Sequence, residues 1–362
     1  MSPETSDGKS AGQIISVQQM RFLAAALVLI GHTLHEVYDQ FGMSQNYEKM
    51  FEWGVGVDIF FVISGFIMYL TSASFVGVRG YPVEFLKRRF ERIVPLYWLF
   101  TSLMIISSFA VPSAVTHGNL SIFHVISSYS FVPWPRADGA IRPVLALGWT
   151  LNYEMFFYIM FAAMLTFKRS VFLYVLSLIF VVLSVCHNFV PEQLWIIDFW
   201  TNPIVLEFLA GVWLGWAFKR GLRIPGIAGL ALMLLGILGL VVAHSWPIER
   251  VLKAGLPAVL IFAGWTFRPN SGNSIVGRFA AYGGDLSYAI YLSHPFSLNV
   301  AALIFHRLDM NSPWLFFFSS IAAAVCAGAL VHHTIEHPLI NFFRLRRQRD
   351  RPSGARLEEM GR

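Results

Sequence analysis

The chain has 362 residues, and its composition excludes a soluble protein. Hydrophobic residues make up 56% of it and charged residues 13%, about half of the usual share of charge. The net charge of +6 would suit nucleic acid, but the basic residues lie between long apolar runs. This arrangement indicates a membrane lipid partner and no nucleic acid. Cys186 and Cys326 each lie inside an apolar run, so we expect small buried hydrophobes and neither a disulfide nor a metal site.

Ten apolar runs approach the length of about 20 residues that a helix needs to cross a bilayer. They lack the alternation of membrane β-strands, and only helices then satisfy the backbone in lipid. The predicted fold is an all-α polytopic membrane protein with about ten transmembrane helices. The first run contains Arg21 and the eighth contains Lys253 and Pro257, so either could be tilted, broken or re-entrant. The runs cover residues 14–36, 53–76, 93–114, 146–167, 170–190, 200–218, 224–244, 250–267, 284–306 and 313–335.

The basic residues predict an orientation. With both termini in the cytoplasm, cytoplasmic segments hold 20 of the 27 Lys and Arg residues, as the positive-inside rule requires. Three regions follow: a cytoplasmic N-terminal segment (1–13), a transmembrane domain (14–340) and a basic cytoplasmic tail (341–362). From Arg344 onward we expect the tail to be unstructured and held near anionic headgroups.

The first run carries two ionisable side chains on one face. Arg21 and His32 are eleven residues apart, about 16 Å along a helix. A neutral imidazole accepts protons near pH 7, so His32 is a candidate base, with a structural histidine as the alternative. Arg21 either serves the same site or extends to the headgroups. Glu36, one turn beyond His32, either orients its ring or is a hydrated carboxylate at the membrane boundary.

Further acids lie inside apolar runs, where ionisable groups are costly and mark functional sites. Asp58 needs a partner, and an arginine or histidine of the first run is the expected one. Glu154 begins the fourth run among hydroxyl and amide groups, and Glu207 lies in the sixth. These acids could serve catalysis or, in a transporter or flippase, a relay with Arg21 and His32.

Arg89 and Arg92 lie three residues apart where the third run begins. Two guanidinium groups on one helix face can bind phosphate bidentately. The alternative is ordinary anchoring of a basic loop.

Together these motifs resemble the membrane-bound acyltransferase-3 family, in particular its exopolysaccharide acetyltransferases. The resemblance covers residues 14 to 340 and rests on several motifs in the expected order. They are Arg21 and His32 with ten residues between them, Gly56-Val-Asp-Ile-Phe-Phe-Val-Ile-Ser-Gly-Phe66, Arg89-Phe-Glu-Arg92, Trp149-Thr-Leu with Glu154, and Leu286-Ser-Tyr-Ala-Ile-Tyr-Leu-Ser-His-Pro295.

The resemblance implies an enzyme of the bacterial inner membrane that moves an acyl group, by default acetyl, to a hydroxyl of a surface or exported glycan. Acetyl-coenzyme A would be the donor substrate on the cytoplasmic side, with no permanently bound cofactor. His32 would be a base or carry the acyl group covalently, supported by Glu36, Asp58 and Glu154. Arg21, Arg89 and Arg92 would bind the donor. Which acid supports His32 stays open among Glu36, Asp39, Glu48 and Glu52. A proton-coupled transporter or flippase of a glycan or small metabolite is the alternative.

Overall fold

The computed structural model describes residues 4–42, 51–110, 121–269 and 274–349. This part of the chain is largely helical, and its β-structure is one isolated bridge between Pro135 and Ile141. In chain order the α-helices are α1 (Glu4–Phe41), α2 (Val55–Ser72), α3 (Tyr81–Ala110), α4 (Ile122–Tyr129), α5 (Trp149–Met164), α6 (Phe172–Cys186), α7 (Trp195–Thr201), α8 (Val205–Lys219), α9 (Gly226–Ala243), α10 (Leu256–Thr266), α11 (Ile275–Arg307), α12 (Pro313–Val331) and α13 (His337–Arg349).

Each of the ten predicted runs coincides with a helix, which confirms the all-α polytopic membrane fold. Eight helical stretches of the described residues are long and apolar enough to cross a membrane. The other two runs form shorter helices: α5, with 16 residues, and the stretch Val251–Thr266. The exact number of crossings stays a prediction.

The first and the eighth run, which could have been tilted, broken or re-entrant, form different structures. α1 continues without interruption past Arg21. The eighth run is not uniform, because residues Val251–Gly255 form a π-helical turn before α10 begins. Pro257, in the first turn of α10, is accommodated there because its missing N–H would have no partner within the helix.

The expectation of an unstructured tail from Arg344 is wrong for the residues up to Arg349, which are helical in α13. Arg347 fixes this helix to α3, because its Nε lies 3.3 Å from Oε2 of Glu91. A second acid of α3, Glu84, lies 3.9 Å from the Nη1 atom of Arg347. The positive-inside rule predicts on which side of the membrane such arginines lie. It does not predict that acids of a helix distant in sequence will bind them. Residues 350–362 lie outside the described part.

Glycines bring the central helices into close contact. α2 packs along α8, where a Cβ atom at Gly65 would collide with the carbonyl of Phe208, and one at Gly211 with that of Val62. Gly56 approaches the backbone of α1 at Ala24 in the same way. Such small residues let membrane helices meet backbone to backbone. α1 also packs along α11, so that polar residues of α1, α2, α5 and α11 surround two adjoining cavities.

Candidate active site

The first cavity, which we name the arginine cavity, has a volume of about 100 Å³. Arg21 of α1 and both predicted phosphate-binding arginines of α3, Arg89 and Arg92, line it. The structure therefore brings together three residues that the sequence places in two separate motifs. The other polar side chains of the wall are Ser64, Thr150, Glu154, Tyr158, Ser287, Tyr288 and Tyr291.

Among the described residues, Glu154 is the one carboxylate in the wall of the arginine cavity. It accepts hydrogen bonds from the Oγ atom of Ser64, at 3.1 Å, and from the hydroxyl of Tyr158. The guanidinium of Arg89 lies 5.4 Å from the ring centres of both Phe85 and Tyr158, within cation–π range. Three guanidinium groups thus face one carboxylate, and the wall has an excess of positive charge.

Two further acids near Arg21 already have other partners. The Nε2 atom of Gln18 donates to Asp285, and Glu336 lies 2.8 Å from Nδ1 of His332. Neither acid lines the arginine cavity. The excess positive charge there favours an anionic ligand.

The second cavity, which we name the histidine cavity, is larger, at about 660 Å³. His32 of α1 is exposed to it, as are Arg142 and His35. The rest of its wall contains one acid, Glu52, and is otherwise rich in aromatic and basic side chains: Tyr38, Phe51, Trp53, Trp149, His244, Arg250 and Tyr291. A base in a roomy aromatic cavity is suited to a substrate with hydroxyl groups.

The two cavities adjoin at Val57 and Tyr291, which belong to the walls of both. The hydroxyl of Tyr291 lies 2.8 Å from Oγ1 of Thr150 and donates to the carbonyl of Leu147 at 2.9 Å. Its ring is therefore held between the arginines and His32. Arg21 and His32 lie on the same face of α1, as predicted, but in different cavities.

His294 is a residue that sequence reasoning did not assign to the site. Its ring centre lies 5.1 Å from that of His32, and its side chain is buried. Nδ1 lies 3.2 Å from the carbonyl oxygen of Ile290, which can only accept, so Nδ1 bears the hydrogen. Nε2 is then an acceptor in the neutral ring, and it has no hydrogen-bond partner among the described residues. The signal was present, because His294 lies within one of the motifs quoted above, directly before Pro295.

The sequence predicted an arginine or histidine of the first run as the partner of Asp58, and this prediction is wrong. Asp58 is fully buried and binds Arg250, whose Nη2 and Nε atoms lie 2.7 and 3.2 Å from the two carboxylate oxygens. Arg21 and His32 point into the two cavities, whereas Asp58 faces the turn before α10. Glu207, also buried, has Asp58 and Arg250 as electrostatic neighbours. Arg250 was not part of any motif recognised in the sequence, although it is one of the few basic residues outside the predicted cytoplasmic segments.

The four acids considered as partners of His32 lie in different places. Glu36 has His35, Asp39 and Gln40 as neighbours, and no hydrogen bond links it to His32 in the described structure. Glu52 lines the histidine cavity, with Lys253 and His244 each 3.4 Å away. Glu48 lies outside the described residues. The supporting role predicted for Glu36 stays a prediction.

Comparisons with known proteins identify the family of the chain. The chain is 35% identical over 307 residues to the exopolysaccharide production protein ExoZ of Rhizobium meliloti, covering 81% of this chain and 91% of ExoZ. It is 24% identical over 333 residues to the acyltransferase MdmB of Streptomyces mycarofaciens, covering 81% and 82% of the two chains. No solved structure is significantly similar. Residues 14–333 match the family described as an acyltransferase domain, and the chain therefore belongs to the acyltransferase-3 family of membrane-bound O-acyltransferases.

Proposed function

We propose that the protein transfers an acyl group, by default acetyl, from acyl-coenzyme A to a hydroxyl of an exported or surface glycan. The observation that carries this proposal is the pair of adjoining cavities, one basic and one containing His32, with Val57 and Tyr291 between them. Membership of an acyltransferase family favours this reaction over a transporter or flippase. Similarity to a protein named for exopolysaccharide production supports a glycan acceptor.

The arginine cavity is the proposed donor site, and it faces the cytoplasm of the bacterial inner membrane in the predicted orientation. Its positive charge suits the phosphates of coenzyme A, because guanidinium groups bind phosphate through charge-assisted hydrogen bonds. At about 100 Å³ the space suits the slender acyl and pantetheine part of the donor. The nucleotide would remain at the cytoplasmic mouth, and the thioester would extend past Tyr291 toward His32.

His32 is the proposed general base in the histidine cavity. It takes the proton of the acceptor hydroxyl as the hydroxyl oxygen attacks the thioester carbonyl carbon. The carbon–sulfur bond then breaks, and coenzyme A leaves as a thiolate. General-base catalysis of this kind contributes about 10²–10⁴-fold. His294, whose free Nε2 faces no other described partner, would accept a hydrogen bond from the His32 ring and hold its orientation.

The deciding experiment uses purified protein in proteoliposomes with acetyl-coenzyme A labelled in the acetyl group. Label should appear in an added lipid-linked oligosaccharide of an exopolysaccharide repeat and be released from it by mild alkali as an ester. A His306→Ala variant is a suitable control, because that histidine is exposed at the end of α11, outside both cavities. Uptake of intact oligosaccharide without ester formation would instead identify a transporter.

A further inference from the structure

Arg142 is the feature of the histidine cavity that the proposed chemistry leaves unused. It lines the cavity, is exposed to it and is an electrostatic neighbour of His32. Arg136, which is also basic, is another electrostatic neighbour of Arg142. The side chain of Arg142 makes no hydrogen bond or ion pair with any residue of the ranges 4–42, 51–110, 121–269 and 274–349. An unpaired guanidinium that lines a cavity together with other basic groups is suited to an anionic ligand.

The backbone around Arg142 is held firmly. Its carbonyl accepts a hydrogen bond from Nε2 of His124, at 2.9 Å. Burial lowers the pKa of His124. On either side, Ile141 bridges to Pro135, and the N–H of Val144 donates to Oγ of the buried Ser128 at 2.9 Å. The guanidinium therefore projects from a preorganised loop, as expected of a ligand-binding side chain.

Arg250 supplies a second guanidinium to the same wall. Its Nε and Nη2 atoms bind Asp58. Nη1 has no described partner, and 39% of the side chain remains exposed. Asp58 thus fixes the orientation of Arg250 and leaves part of its fork available to a ligand. The rings of Trp53 and Trp149 line the same cavity and offer faces on which a sugar ring can pack.

From these contacts we propose that the histidine cavity recognises an anionic saccharide, with a carboxylate or phosphate group bound by Arg142 and Arg250 while a nearby hydroxyl reaches His32. The inference rests on the proposed function, since it assigns the acceptor to this cavity. A neutral glycan would leave Arg142 without a counter-charge. A guanidinium fork, in contrast, matches both carboxylate and phosphate oxygens.

Binding is measured without donor, through quenching of tryptophan fluorescence in detergent-solubilised full-length protein. One pair of probes is cellobiouronic acid and its neutral analogue cellobiose. The other pair is glucose linked to citronellol through a diphosphate, which is anionic, and citronellyl glucoside, which is neutral. The two pairs together distinguish recognition of a sugar carboxylate from recognition of a diphosphate linkage. At least one anionic probe should bind about 10–150-fold more tightly than its neutral partner, the range for charge-assisted hydrogen bonds. Arg142→Gln should reduce this preference to the part that Arg250 supplies, and Arg142→Lys should restore some of the loss.

Arg307→Gln is the matched control, because Arg307 is an exposed arginine on the same side of the fold and outside the cavity. It should leave the preference unchanged, and all variants should retain the affinity of the parent for coenzyme A. Equal affinity within both pairs, absence of binding, or a preference that Arg142→Gln leaves undiminished would overturn the inference. Failure of the proposed function is seen separately, as absence of acetyl ester formation in proteins that still prefer the anionic probe.

Discussion

The two cavities differ in size and in what surrounds their polar groups. The arginine cavity is small, and its three guanidinium groups face one carboxylate that is already hydrogen-bonded. The histidine cavity is several times larger and combines a base with aromatic rings. In the proposed function the two cavities have two tasks: holding a charged donor at one depth and activating a bulky acceptor at another. Tyr291, common to both walls, marks the point where the reacting groups would meet.

The broadest test of this comparison asks whether the cavities face opposite sides of the membrane, and it has an all-or-none outcome. In a Cys186→Ala, Cys326→Ala background, Val78→Cys lies next to the turn before α3 and Val132→Cys lies in the segment before α5. Both positions are exposed. In intact cells an impermeant maleimide should label Val132→Cys and not Val78→Cys. After the membrane is permeabilised, both should label. The reverse pattern would invert the predicted orientation and remove the donor site from the cytoplasm.

His32→Ala is expected to cause the largest change in rate. Loss of a general base should lower kcat for acetyl transfer by about 10²–10⁴-fold. Binding of coenzyme A in the other cavity should persist, because His32 does not line it. Transfer is measured with labelled donor on protein normalised by size-exclusion profile. Activity above roughly a tenth of the parent would reassign His32 to a structural role.

Features of the fold and the site that depend on neighbouring residues could be predicted from the sequence, whereas contacts between residues far apart in the chain could not. Apolar length and composition predict the helices, and an eleven-residue separation places Arg21 and His32 on one face, because both are local properties of a helix. The ion pair of Asp58 with Arg250 joins residues 192 positions apart and has no local pattern. His294 reaches His32 only because α1 packs along α11. The sequence thus identified parts of both cavities but not which residues meet in each.

Arg92→Ala should separate the cavities kinetically. The loss of charge-assisted bonds to phosphate, about 1.5–3 kcal/mol, should raise KM for acetyl-coenzyme A by about 10–150-fold. Affinity for the acceptor should change little, since Arg92 does not line the histidine cavity. Arg92→Lys should recover only part of the loss, because a lysine keeps the charge without the bidentate fork. An unchanged KM in correctly inserted protein would mean that Arg92 anchors its helix to lipid.

His294→Phe tests a positioning role behind His32. Removal of one neutral hydrogen bond, about 0.5–1.5 kcal/mol, should lower kcat by about 2–12-fold with KM for both substrates unchanged. His294→Asn keeps an acceptor and should restore part of kcat. Steady-state kinetics with each substrate varied in turn provide the measurement. A loss that appears equally in KM, or that Asn does not relieve, would indicate a packing role instead.

The smallest expected effect concerns Tyr291, the boundary between the cavities. Tyr291→Phe keeps the ring but loses the bonds to Thr150 and Leu147, which should let the boundary open more often. Water from the histidine cavity would then reach the thioester, and hydrolysis of acetyl-coenzyme A without acceptor should rise about twofold to fivefold, as a loss near 1 kcal/mol allows. Thr150→Val removes one of the same bonds and leaves the ring in place, so it should cause a smaller rise. Release of free coenzyme A, followed with a thiol reagent, measures both variants. Unchanged hydrolysis with normal transfer would mean that something other than the Tyr291 hydroxyl separates donor from water. In that case Val57, the other residue common to both walls, becomes the candidate for keeping the two cavities distinct.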